Sequence, residues 1–143
     1  GCVVETSGSR ERNNYSSFLY AQGRYLEAAA ALREVTPDAF YSGRARAFVT
    51  LGLALLQTQE PLGGKSAFSQ ALLMESRNSA ALLELIQIEL TEGDVAGASG
   101  YYERYRTITR TQTVLALILD VEIARLNGDA NMAVSNMLAR AIY

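Results

Sequence analysis

Histidine and tryptophan are absent from this 143-residue chain, cysteine occurs once and proline twice. Each gap closes off a class of function. Without histidine, the side chain suited to moving protons near neutral pH is missing, as is the commonest imidazole metal ligand. A Ser–His–Asp or Cys–His site needs that imidazole. A zinc centre needs several Cys or His ligands, and Cys2 is the one candidate. It has no second cysteine with which to form an internal disulfide. Long apolar runs are also lacking. Val114–Leu119 is only six residues and is closed by Asp120, far short of the roughly 18 that span a bilayer. Basic charge is not in excess: a net charge of −2 and a pI of about 5.2 argue against nucleic acid, whose binders carry a basic face. The run Gly63-Gly64-Lys65-Ser66 echoes a phosphate loop, but Gln59 stands where that motif needs its first glycine. The expectation is therefore a non-enzyme with no cofactor, no metal and no nucleic-acid partner.

What is present is a repeat. Hydrophobic residues make up 49% of the chain and charged residues 20%, a globular balance. The turn Gln22-Gly23-Arg24-Tyr25 recurs as Glu92-Gly93-Asp94-Val95 and Asn127-Gly128-Asp129-Ala130, with a weaker copy at Gln59-Glu60-Pro61-Leu62. A small residue follows each turn: Ala28, Gly64, Ala98, Ala133. Phe48 lies 34 residues before Leu82, Phe68 lies 34 before Tyr102, and Leu19 lies 36 before Leu55. A helix–turn–helix unit of about 34 residues is the tetratricopeptide pattern. Each pair of amphipathic helices has an apolar face too wide to cover alone, so neighbouring units must stack. Bulky groups at Leu32, Phe68, Tyr102 and Met137 fill the gap toward the next unit, and Asp94 and Asp129 are placed to cap helices.

The expected fold is all-α, a right-handed tetratricopeptide superhelix of about four repeats. Helices are expected near 10–22, 25–35, 43–58, 62–75, 79–92, 95–107, 112–127 and 130–142. The stretch 36–43 is a longer connector. Residues 1–9 read as a flexible leader, and 10–143 as one domain with repeats at 10–42, 43–78, 79–111 and 112–143.

In this architecture the first helix of each pair lines the groove. By register the groove positions are Asn13, Ser17 and Tyr20; Val49, Leu53 and Leu56; Leu83, Gln87 and Leu90; and Ile118 with Glu122 and Arg125. The middle two units are thus strongly apolar there. Gathered apolar side chains facing solvent mark an interaction site, suited to an amphipathic helix or extended apolar segment. Self-association and further neighbouring repeats are the other ways to cover them. Some tetratricopeptide domains clamp a C-terminal carboxylate with Lys, Arg and Asn. Here the matching positions include Ser17, Thr50, Ala80 and Glu84, and no such clamp is present.

The run from Asn13-Asn14-Tyr15 through Phe18-Leu19 to Arg24-Tyr25-Leu26-Glu27-Ala28 resembles type IV pilus pilotins, the PilF/PilW tetratricopeptide lipoproteins of Gram-negative bacteria. Arg46-Ala47-Phe48, Leu51-Gly52-Leu53, Leu55-Leu56-Gln57, Ala98 and Tyr101-Tyr102 continue the match. The Asn-Asn-Tyr start and the connector around Tyr41 are its most telling parts. The resemblance implies a lipoprotein on the periplasmic side of the outer membrane, assisting secretin localisation and multimerisation. It also implies a lipidated cysteine, for which Cys2 after Gly1 is the candidate anchor. Without acylation, a cytoplasmic or soluble periplasmic location is expected. Ser16 and Ser17 replace the family's glycine region, and room for about four repeats contrasts with about six in the family. A general scaffold module unrelated to pili is the alternative.

Overall fold

The structure, a computed structural model, describes residues 2–109, 113–127 and 140, with side chains from residue 8 on. Among the described residues there are seven α-helices and no strand: α1 (Cys2–Ala21), α2 (Tyr25–Val35), α3 (Arg44–Gln57), α4 (Pro61–Met74), α5 (Ser79–Glu92), α6 (Val95–Ile108) and α7 (Val114–Leu126). These are the paired helices of the expected repeats. The helix expected at 130–142 lies outside the described residues, as do Asp129, Ala133 and Met137.

The chain divides into two compact units, Gly1–Ala81 and Leu82–Tyr143. One reading needs adjustment. The leader expected at 1–9 is helical from Cys2 onward. Ser9 is buried there, and its hydroxyl donates to Asp38 Oδ2 at 2.5 Å. Small polar residues read as a leader by composition, but a polar partner in the connector gives them somewhere to bond.

Local chemistry explains where the helices begin. Gly23 and Gly93 adopt φ of +78° and +85°, the left-handed region that glycine enters without a Cβ clash. In the weak copy the same conformation falls on Gln59, at φ +63°. That is two residues before α4, the same offset that Gly23 has from α2 and Gly93 from α6. The weak turn is therefore in register one residue earlier than its letters suggest. Pro61 then opens α4, a first-turn position where its missing N–H costs nothing. Asp94 caps α6 as expected, accepting from Gly97 N at 2.9 Å. Asn78 accepts from Ala81 N at 3.0 Å ahead of α5, and Thr113 from Ala116 N at 3.1 Å ahead of α7.

In the first unit α1 packs on α2, α2 on α3, α3 on α4, and α1 also meets α3. Leu32, Val35, Tyr41, Leu51 and Leu55 form the core with Ala29, Ala47, Ala54 and Ala67. The small residues set the spacing. A Cβ on Gly52 would come 2.7 Å from the buried Phe68 ring, and one on Gly64 would come 3.2 Å from the Gly52 carbonyl oxygen. Helices α3 and α4 thus cross nearly backbone to backbone.

In the second unit Leu82, Leu85, Ile86, Ala98, Tyr102 and Tyr105 are buried, with Ala116, Leu119 and Ile123 of α7. Arg140 pairs with Asp120 on α7, donates to the Tyr102 hydroxyl at 3.0 Å and lies over that ring at 5.8 Å. Glu89 stands 34 residues after Leu55 and is buried where that leucine was. Its carboxylate reaches the first turn of α6, near Gly97 and the Asp94 cap. The positive end of a helix favours such a charge.

Candidate protein-binding surface

Helix α3 buries Ala45, Ala47, Leu51, Gly52, Ala54 and Leu55. Among the side chains it leaves partly or wholly uncovered, one cation and three apolar groups form a stripe. Arg46 is exposed, and Val49, Leu53 and Leu56 are half-buried. Offsets of three, seven and ten residues place them within roughly 80° around the helix. Leu56 sits at the edge of the stripe. Its Cδ2 would touch a Cβ on Gly64 at 3.1 Å, so it leans onto α4 and has a packing role as well.

On α1 the three expected positions differ. Ser17 is exposed. Tyr20 is half-buried, packs against the core and meets Tyr25 edge-on at 5.1 Å between ring centroids. Asn13 is only 6% exposed, and its Nδ2 donates to the Tyr41 hydroxyl at 3.1 Å. The expectation that Asn13 meets a guest is corrected here: the connector covers it. Helical period alone placed it beside Ser17, and a contact 28 residues away buried it.

In the second unit Leu83, Gln87 and Leu90 are half-buried on α5. Gln87 Nε2 donates back to Leu83 O at 3.2 Å. Burial pushes the neighbouring Glu84 carboxyl above its ordinary value, since a carboxylate loses hydration there. Ile118 on α7 is 58% exposed. Beyond it, Glu122 and Arg125 pair with each other at 2.5 Å. That pairing holds the Glu122 carboxyl below its ordinary range. Cys2 is the first residue of α1; its side chain lies outside the described part.

Two features escaped the sequence reading. Arg46 and Val49 line an open cleft of about 350 Å³ with Glu75, Arg77, Asn78, Ser79 and Ala80. Its signal was available, since Arg46 lies three residues before Val49 on the same stripe. Tyr15 and Phe18 are 53% and 54% exposed, although they stand 36 residues before Leu51 and Ala54, which are buried. The 36-residue register marks both as core positions, so it gave no signal of their exposure. Among the described residues no cluster of His, Cys, Asp or Glu is arranged to hold a metal, and no helix is long and apolar enough to cross a membrane.

No family model matches the chain. The type IV pilus assembly protein PilF of Pseudomonas aeruginosa is 31% identical over 131 residues, which covers 92% of this chain and 52% of PilF. A solved structure of Pseudomonas aeruginosa PilF matches with a TM-score of 0.83 at 31% identity, covering 94% of this chain and 61% of that one. PilW, described as a widely conserved type IV pilus biogenesis factor, matches at 0.80 and 20% identity, over 94% of this chain and 63% of its own. PcrH, solved in complex with the chaperone binding region of PopD, matches at 0.64 and 16% identity, over 89% and 91% of the two chains. The last two likenesses speak to the fold alone. The chain spans about half the length of its curated relative. By sequence along most of its length and by helical-repeat fold, the chain is similar to the type IV pilus assembly protein PilF, and it shares its fold with PilW.

Proposed function

We propose that this chain is a protein–protein interaction scaffold of the pilotin type, which assists type IV pilus assembly by helping an outer-membrane secretin to localise and multimerise. The observation that carries this reading is the half-buried apolar stripe on α3, Val49, Leu53 and Leu56, in a chain similar to PilF. A repeat fold that buries its core between neighbouring helices has no reason to leave leucines half-open in a row unless another surface meets them. In the second unit by itself, Leu83, Gln87 and Leu90 are half-buried and Ile118 is exposed, and in the first unit Ser17 is exposed and Tyr20 half-buried on α1. Binding rather than catalysis is the role that a chain without histidine favours.

The site of action in this reading is the periplasmic side of the outer membrane, with Cys2 as the acylated anchor. Deleting the gene in its host tests the role. Loss of surface pili and of heat-stable secretin multimers is expected, and normal amounts of both would contradict it.

A second reading is a general adaptor that takes an amphipathic helix or peptide outside any pilus system. It draws support from PcrH, whose likeness covers nearly the whole of both chains and whose solved complex holds a region of PopD. Unaltered pili in the deletion strain, together with capture of a partner that depends on Leu53, would favour it.

A further inference from the structure

The N-terminal end of α3 works against a local rule. Helix N-termini carry partial positive charge and favour acidic residues in the first turn. Helix α3 has no acidic residue there; it has Arg44 and Arg46. Arg44 is accounted for within the chain, because its Nε donates to Thr36 O at 2.5 Å and its guanidinium lies 5.6 Å from the Phe48 ring centroid. Arg46 is exposed and makes no ion pair among the described residues. It lines the cleft described above together with Arg77, which is exposed as well and stands two residues before α5. The carboxylate in this cleft, Glu75, already accepts from Asn78 Nδ2 at 3.4 Å. Two arginines thus stand beside the positive ends of two helices, and neither helix is stabilised by its arginine. A local preference broken without return inside the chain points to a use outside it.

Position says what that use is. Arg46 begins the stripe that continues through Val49 and Leu53, and from Arg46 to Leu56 the stripe is about 15 Å long. Resting on the docking surface proposed above, we infer that the guest is an amphipathic helix of mixed character. Its apolar residues lie along Val49 and Leu53, and an acidic side chain about one turn beyond them enters the cleft between Arg46 and Arg77. Guanidinium groups suit this task because they can meet a carboxylate with two parallel hydrogen bonds. Val49 in the cleft wall excludes part of the water that would otherwise screen the pair. A chain-terminal carboxylate is the weaker candidate, since Ser17, Thr50 and Ala80 occupy positions where a terminal clamp places Lys, Arg or Asn.

Two labelled synthetic peptides of about 18 residues test this. They share one leucine spacing and an amidated C-terminus, and differ in carrying glutamates or lysines at one end. Fluorescence anisotropy against the full chain is expected to show about tenfold tighter binding of the glutamate peptide at low salt, with the gap shrinking as salt rises. The Arg46→Glu/Arg77→Glu variant, checked for unchanged helicity, should reverse the preference. Equal affinities that both disappear in Leu53→Asp would overturn the cationic cleft while leaving the apolar surface standing. No binding by either peptide would overturn both. Tighter binding of a third peptide, with a free C-terminal carboxylate and no glutamates, than of the amidated glutamate peptide would mean that the cleft takes a chain end, and the inference would fail.

Discussion

Asn13 on α1 donates its Nδ2 to the hydroxyl of Tyr41 in the connector at 3.1 Å, and both side chains are buried. The Tyr41 ring rests on Gly43, where a Cβ would come within 2.5 Å of it. One hydrogen bond therefore joins α1 to the connector. It fixes the path of the connector from α2 into α3. Tyr41→Phe should lower stability by about 1–2 kcal/mol in urea unfolding, because a buried amide loses its partner. An unchanged midpoint would mean that the bond contributes nothing.

Gln59 occupies the left-handed conformation that glycine holds at the equivalent turns. A residue with a Cβ loses about 1 kcal/mol there. Gln59→Gly should recover most of that in the same unfolding measurement, and Gly93→Ala should lose a similar amount. A destabilised Gln59→Gly would show that the glutamine side chain holds the turn by other means.

Tyr15 and Phe18 share register with Leu51 and Ala54 but are about half exposed. Leu51→Ala in the core should cost about 2–5 kcal/mol. Tyr15→Ser and Phe18→Ser should each stay within about 0.5 kcal/mol of the parent. Large losses at Tyr15 or Phe18 would mean that α1 is packed on that face after all.

The Glu84 carboxyl is raised above its ordinary value near 4.5 by burial. A folded-state value above the unfolded one means that the native chain binds the proton more tightly. Stability from this group therefore falls as pH rises from about 4.5 through the raised value, and is fullest below that window. Glu84→Gln should raise the melting temperature at neutral pH, with the gain vanishing in acid. Equal gains at every pH would contradict a titration origin.

Much of this was legible in the residues because turn chemistry is local. Gly23, Gly93 and the Asp94 cap act on their own neighbours, so the starts of α2 to α7 could be read to within two residues. The small residues Ala28, Gly64 and Ala98, followed by Leu32, Phe68 and Tyr102, gave away the stacking, because close helix crossings need that alternation. Non-local contacts hid the rest. Asn13 falls on the groove stripe by period and is buried by Tyr41. Ser9 looks like leader until Asp38 is placed beside it. Arg46 and Arg77 are far apart in sequence and share a cleft only once α4 has turned the chain back.

The central claim is that the α3 stripe meets another polypeptide, and Leu53→Asp in the host's own gene tests it most directly. Leu53 is half-buried, so the variant must first be shown to keep its helical circular dichroism and cooperative unfolding. In that folded variant, the account predicts marked loss of heat-stable secretin multimers and of surface pili. Wild-type levels of both would contradict it.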